Sequence, residues 1–115
     1  MAGDDMTREE LANAAREAID AAERAEATPV LAGRLCAEAA RYARELVDRD
    51  ENTSLQGGAI RTLSAALEGS GDLMSARERF AMWREMVKPP YFPTEIVILA
   101  LVDGAELLVR LKESK

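Results

Sequence analysis

The stretch from Pro93 to Leu111, PTEIVILALVDGAELLVRL, limits what the rest of the chain can do. Wound as a helix, it places Ile96, Leu99, Ala100 and Leu107 on one face. Val97, Leu101, Leu108 and Leu111 fall on a second, and Ile98, Val102, Ala105 and Val109 on a third. Charge enters only at Asp103, Glu106 and Arg110, which form one narrow edge. A helix that is apolar nearly all round must be enclosed by its own domain, a partner or a membrane. A membrane span needs about 20 predominantly apolar residues, and the run from Ile96 stops at Asp103. A buried strand competes, because Ile96, Val97 and Ile98 are apolar with β-branched members. The pattern continues to Leu111, past strand length, and this favours a helix over 94–112. Thr94 as N-cap and Glu95 in the positively polarised first turn point the same way. Neighbours from one chain cover most of such a helix. The remainder suggests a second copy, most simply a two-fold dimer, with a central bundle helix in a monomer as the alternative.

The other segments read as helices that could supply the enclosure. Thr7 and Glu10 form a capping box, the hydroxyl of one and the carboxylate of the other each taking a backbone N–H, and open a helix over 7–27. Leu11, Ala14 or Ala15, Ala18, Ile19, Ala22 and Ala25 line it, with Asp20 and Arg24 spaced to pair. A stripe of alanines permits close approach but buries little area, about 0.8 kcal/mol being lost per missing CH₂, so this helix reads as the most weakly held. Thr28-Pro29 starts the next helix, 29–49, with Leu31, Leu35, Ala39, Tyr42 and Leu46 inward and Glu45 near Arg49. The polar link 50–54 leads to a third helix, 55–68, carrying Leu55, Ala59, Ile60, Leu63 and Leu67. Gly57 and Gly58 in its first turn either fray the start or admit a close neighbour. Gly69-Ser70-Gly71 breaks the chain, with a cap at Asp72 or Ser75. A fourth helix, 73–87, carries Leu73, Ala76, Phe80, Trp83 and Val87 with Met74, Met82 and Met86 beside them. Pro89, Pro90 and Pro93 end it. The expectation is an all-α, five-helix bundle with the last helix central. Residues 1–6 are expected to be disordered and 7–115 to form a single helical domain.

Charge and residue usage narrow the chemistry. The net charge is -6, and all of it belongs to residues 1–54, because acids and bases balance in 55–115. An acidic chain lacks the basic footprint of a nucleic-acid binder; it suits solubility or a basic partner. Cys36 is the only cysteine, so no intrachain disulfide can form, and a reducing, cytoplasmic setting is expected. The acidic N-terminus lacks the pattern of a secretory signal. Histidine is absent, which removes the commonest general base and metal ligand. Neither a Cys/His zinc site nor a Ser-His-Asp triad can be built, and Cys36 has no histidine to activate it. The expectation is a protein without catalytic activity, cofactor or metal. Asp103 is the titratable residue to single out, since a carboxylate amid apolar side chains is costly unless paired. Arg61, Arg77 and Arg84 are its candidate partners. Gly104 beside it would let two helices cross closely.

The last two helices, with Trp83, the proline break and the run from Ile98 to Gly104, resemble the end of the ligand-binding domain of TetR-type regulators. Those domains dimerise through their final helices. The resemblance implies a dimer or an apolar ligand pocket, and the basic helix-turn-helix that would bind DNA is missing. Three functions are compatible with the residues. The leading one is a non-enzymatic interaction module forming a homodimer through Ile96, Leu99, Leu101, Asp103, Gly104, Leu107 and Leu108 with Trp83 and Phe92. A small-molecule sensor would have a closed pocket lined by Met82, Trp83 and Met86. An acidic inhibitor, similar to an antitoxin, would bind a basic protein through the first helix.

Overall fold

The computed structural model describes residues 6–50 and 55–113. All regular structure among them is helical: α1 (Arg8–Arg24), α2 (Pro29–Asp50), α3 (Leu55–Leu67), α4 (Leu73–Phe80), α5 (Trp83–Met86) and α6 (Pro93–Glu113). Five of these have eight or more residues and form the expected bundle. The expected fourth helix is divided. Ala81 still donates to the Arg77 carbonyl four residues back, but Arg84 and Glu85 donate to Ala81 and Met82, three residues back. This tightening of the turn separates the single turn of α5 from α4.

Side-chain chemistry sets the helix ends. Thr7 and Glu10 close the capping box at 2.9 and 3.1 Å. Asp72, not Ser75, caps α4, accepting from the Ser75 N–H at 3.1 Å. α6 begins one residue before the position expected from Thr94. Phe92 is the capping residue: its N–H donates to Glu95 Oε1 at 2.9 Å, and its carbonyl accepts from Glu95 and Ile96. Pro93 then takes the first helical position, where its missing N–H costs nothing. Thr94 lies inside the helix and is buried.

α6 is the central element and meets each of the other five helices. Val97, Ile98, Ala100, Leu101, Val102, Ala105, Leu107 and Val109 are buried along it. Gly104 lies at a close crossing of helices. A Cβ there would stand 2.7 Å from Ile19 Cδ1 of α1 and 2.9 Å from Leu67 Cδ2 of α3, with Cys36 Sγ of α2 at 3.7 Å. Three helices thus converge on one glycine, because a hydrogen is all that fits. The enclosure that the sequence demanded is supplied by the chain itself.

α1 is not loosely held. Leu11, Ala12, Ala15, Ile19 and Ala22 are fully buried, and α1 packs on both α2 and α6. Its alanines give closeness in place of bulk. Gly58 is exposed within α3 with nothing near it, so it admits no neighbour. Of the N-terminal segment expected to be disordered, residues 1–5 lie outside the described residues. Met6 packs on the core and its carbonyl accepts from Arg49. Residues 51–54 of the polar link, and residues 114 and 115, also lie outside the described residues.

Candidate interaction strip on the central helix

The side chains of α6 that are not buried fall mainly on one edge. Glu95, Ile96, Leu99, Asp103 and Glu106 are half-buried and Arg110 is exposed, at the three- and four-residue spacing of one helix face. Phe92, one turn before Ile96, continues that line and is 69% exposed. The strip is apolar at its start (Phe92, Ile96, Leu99) and charged at its end (Asp103, Glu106, Arg110).

The charged end is fully engaged. Arg16 of α1 donates from Nη1 to Asp103 Oδ2 at 2.8 Å and from Nη2 to Asp20 Oδ1 at 2.8 Å, with Glu23 Oε1 at 3.6 Å. Arg84 of α5 binds the other Asp103 oxygen and donates to Glu106 Oε1 at 2.8 Å. Arg110 reaches Glu26 at 3.4 Å. Burial disfavours the charge on Arg16, yet the hydrogen bonds and charges of Asp103 and Asp20 outweigh it and hold the guanidinium above its ordinary value. Arg84 is likewise held up, burial being overcome first by Glu106 and then by Asp103. Burial pushes the Glu23 carboxyl up, and the nearby charge of Asp103 adds to the shift. Opposite charges facing one another at this spacing lock orientation more than they add stability.

Of the three expected Asp103 partners the structure selects Arg84, and it adds Arg16. Arg61 pairs with Asp48 at 2.9 Å, and no bond from Arg77 to Asp103 is formed. The signal for Arg16 was present in the sequence. It borders the stripe of Ala12, Ala15 and Ile19, so it must project beside whatever covers α1. Asp20, expected to pair forward with Arg24, pairs back with Arg16.

The expected interface residues divide into three groups. Leu101 and Leu107 are fully buried and Gly104 is enclosed, which corrects their assignment to a surface: α1, α2 and α3 occupy the space that a second subunit would need. Leu108 lies on a different face. With Pro29, Leu67, Leu73 and Leu111 it lines a groove of about 250 Å³, and Lys112 stands at its wall. Phe92, Ile96, Leu99 and Asp103 share the strip, with half-buried Trp83 on the segment tied to it by Arg84. Met82 and Met86 are 58% and 64% exposed, so they do not wall a closed cavity. Tyr91 is also exposed.

Cys36 is completely buried, and burial, reinforced by the charge of Glu23, pushes its thiol up to about 12; such a thiol is not a nucleophile at neutral pH. Among the described residues no group of three or more His, Cys, Asp or Glu could hold a metal ion. No helix among them is long and apolar enough to cross a membrane. Comparison with known proteins finds no matching family model, curated protein or solved structure.

Proposed function

We propose that the chain is a non-enzymatic interaction module that self-associates as a homodimer through the apolar end of the α6 strip. Phe92, Ile96 and Leu99 form the centre of the contact, with Trp83 beside them. The observation that carries this reading is the exposure of Met82, Met86, Tyr91 and Phe92 within eleven consecutive residues. Exposed apolar clusters of this kind mark interaction surfaces. Methionine and aromatic side chains are enriched in interface centres and at hot spots. A two-fold arrangement lets the same strip serve both subunits.

The reading differs from a contact along the whole of α6, because the buried half of that helix is already covered. Among the described residues no ion pair forms at the start of the strip, so the contact is centred there and the charged end lies at its rim. Sedimentation velocity at micromolar concentration tests it. A dimer is expected for the wild-type chain and a monomer for Phe92→Asp, which places a charge at the centre of the contact while leaving the Phe92 backbone cap intact. A homogeneous monomer in the wild type overturns the reading.

A further inference from the structure

The segment between α4 and α6 is built unlike the rest of the bundle. α4 is anchored by buried Leu73, Ala76 and Phe80, and every other long helix buries a continuous stripe, whereas none of the four residues of α5 is buried. Its apolar ties are half-buried Trp83 and, at its end, Val87, which is buried but stands outside the main core cluster. Its polar ties to α6 are the bonds from Arg84 to Asp103 and Glu106. After Arg84 the chain runs to Phe92 and enters α6 at Pro93. At 1.5 Å per helical residue, about 15 Å of α6 separates Asp103 from Pro93. The segment therefore bridges the charged end of the strip, at Arg84, and its apolar end, at Phe92.

We propose that Ala81–Tyr91 is a latch over the outward strip of α6, closed by Arg84 and opened by loss of its two carboxylate contacts. When closed, it keeps Ile96, Leu99 and Trp83 half-covered. When open, it pivots at the Ala81–Met82 bend, where the helical hydrogen-bond pattern already changes, and just before the Phe92 cap, and it uncovers that surface. The bundle is unaffected, because α1, α2, α3 and α4 reach α6 through contacts of their own. The latch governs access to the surface on which the proposed self-association rests, but it is an intramolecular device and exists whether or not the chain dimerises.

Trp83 is the only tryptophan and lies on the latch, so its fluorescence reads the device directly. The uncharged quencher acrylamide is titrated into wild type, Arg84→Gln, Glu106→Gln and Arg16→Gln at two protein concentrations. Partly exposed ion pairs are weak, so losing both raises the quenching constant about twofold to fivefold in Arg84→Gln, with a smaller rise in Glu106→Gln. Emission shifts to the red and far-UV helicity is retained. Salt at about 1 M, where the screening length is ~3 Å, has the same effect on the wild type. Arg16→Gln removes the other partner of Asp103 while leaving Arg84 in place, and it quenches as wild type does. Equal quenching in Arg84→Gln and wild type overturns the latch. So does an equal opening in Arg16→Gln, or a loss of helicity beyond the single turn of α5, because either means that Arg84 holds the bundle as a whole. A difference independent of protein concentration separates the latch from dimerisation, which sedimentation tests by itself.

Discussion

Arg16 Nη1 and Asp103 Oδ2 stand 2.8 Å apart and join the first helix to the last across 87 positions of sequence. The contact matters because both side chains are more than two-thirds covered, and a carboxylate so placed needs its charge answered. Asp103→Ala is expected to destabilise the chain by about 1–2 kcal/mol, between the value of exposed pairs and that of fully buried ones. A double-mutant cycle with Arg16→Ala, measured by urea denaturation, should return a coupling of roughly 1 kcal/mol. A coupling near zero would mean that the geometry is incidental to stability.

Gly104 makes the sharper steric prediction. The added methyl of Gly104→Ala meets Ile19 and Leu67 at less than 3 Å. Both are side-chain ends held in a dense core, and overpacking of this sort costs about 1–3 kcal/mol. Alanine returns about 1 kcal/mol of helix propensity, so a net loss of about 1 kcal/mol is expected, with Gly104→Val much worse. Gly33 in α2 has nothing within 4 Å of its Cβ position. Gly33→Ala should therefore stabilise by about 0.5–1 kcal/mol. Opposite signs at two helical glycines, read from thermal midpoints, would establish that α6 is positioned by contact at Gly104.

How far the sequence could lead follows from which signals are local. The apolar circumference of α6 and the capping box at Thr7 and Glu10 are patterns within a few residues, and both led to the right elements. So did the crossing role of Gly104, since an interior glycine in an apolar helix has few other physical uses. The division of α4 from α5 was not legible, because Ala81 and Met82 are ordinary helix formers and the bend comes from tertiary placement. The Phe92 cap was not legible because phenylalanine has no capping side chain; the bond that its N–H donates to the Glu95 carboxylate does the work, and Pro93 was the available clue. Whether α6 was enclosed by its own chain or by a second could not be read from α6 at all. That depended on the alanine stripe of α1, whose small side chains signalled weak burial but produced close approach.

Ser64 offers a simple gain. It lies on the buried face of α3, is fully inaccessible, and its hydroxyl has no hydrogen-bond partner among the described residues. A buried polar group without a partner costs roughly 1–3 kcal/mol. Ser64→Ala removes it without adding volume and improves helix propensity. The variant should be more stable by about 1 kcal/mol, seen as a higher urea midpoint at an unchanged slope. A destabilised Ser64→Ala would show that the hydroxyl is satisfied in solution.

Glu23 provides a pH test of the charge network. Burial raises its carboxyl above the ordinary 4.5, the charge of Asp103 adds to the rise, and Arg16 only partly offsets it. The folded chain therefore holds this proton more tightly than the unfolded chain. The contribution to stability is fully present below the unfolded value and is lost as pH rises through the folded one. At neutral pH the ionised Glu23 is thus a liability, despite its 3.6 Å approach to Arg16. Glu23→Gln should melt at a higher temperature than wild type at pH 7, and the gap should close as pH falls towards 4.5. Because the carboxylate is only partly covered, the effect is small and is best read as the difference between two melting curves across a pH series. A variant less stable than wild type at neutral pH would show that the attraction of Arg16 outweighs burial, and that Glu23 belongs with Asp20 as a working partner of the Arg16–Asp103 pair.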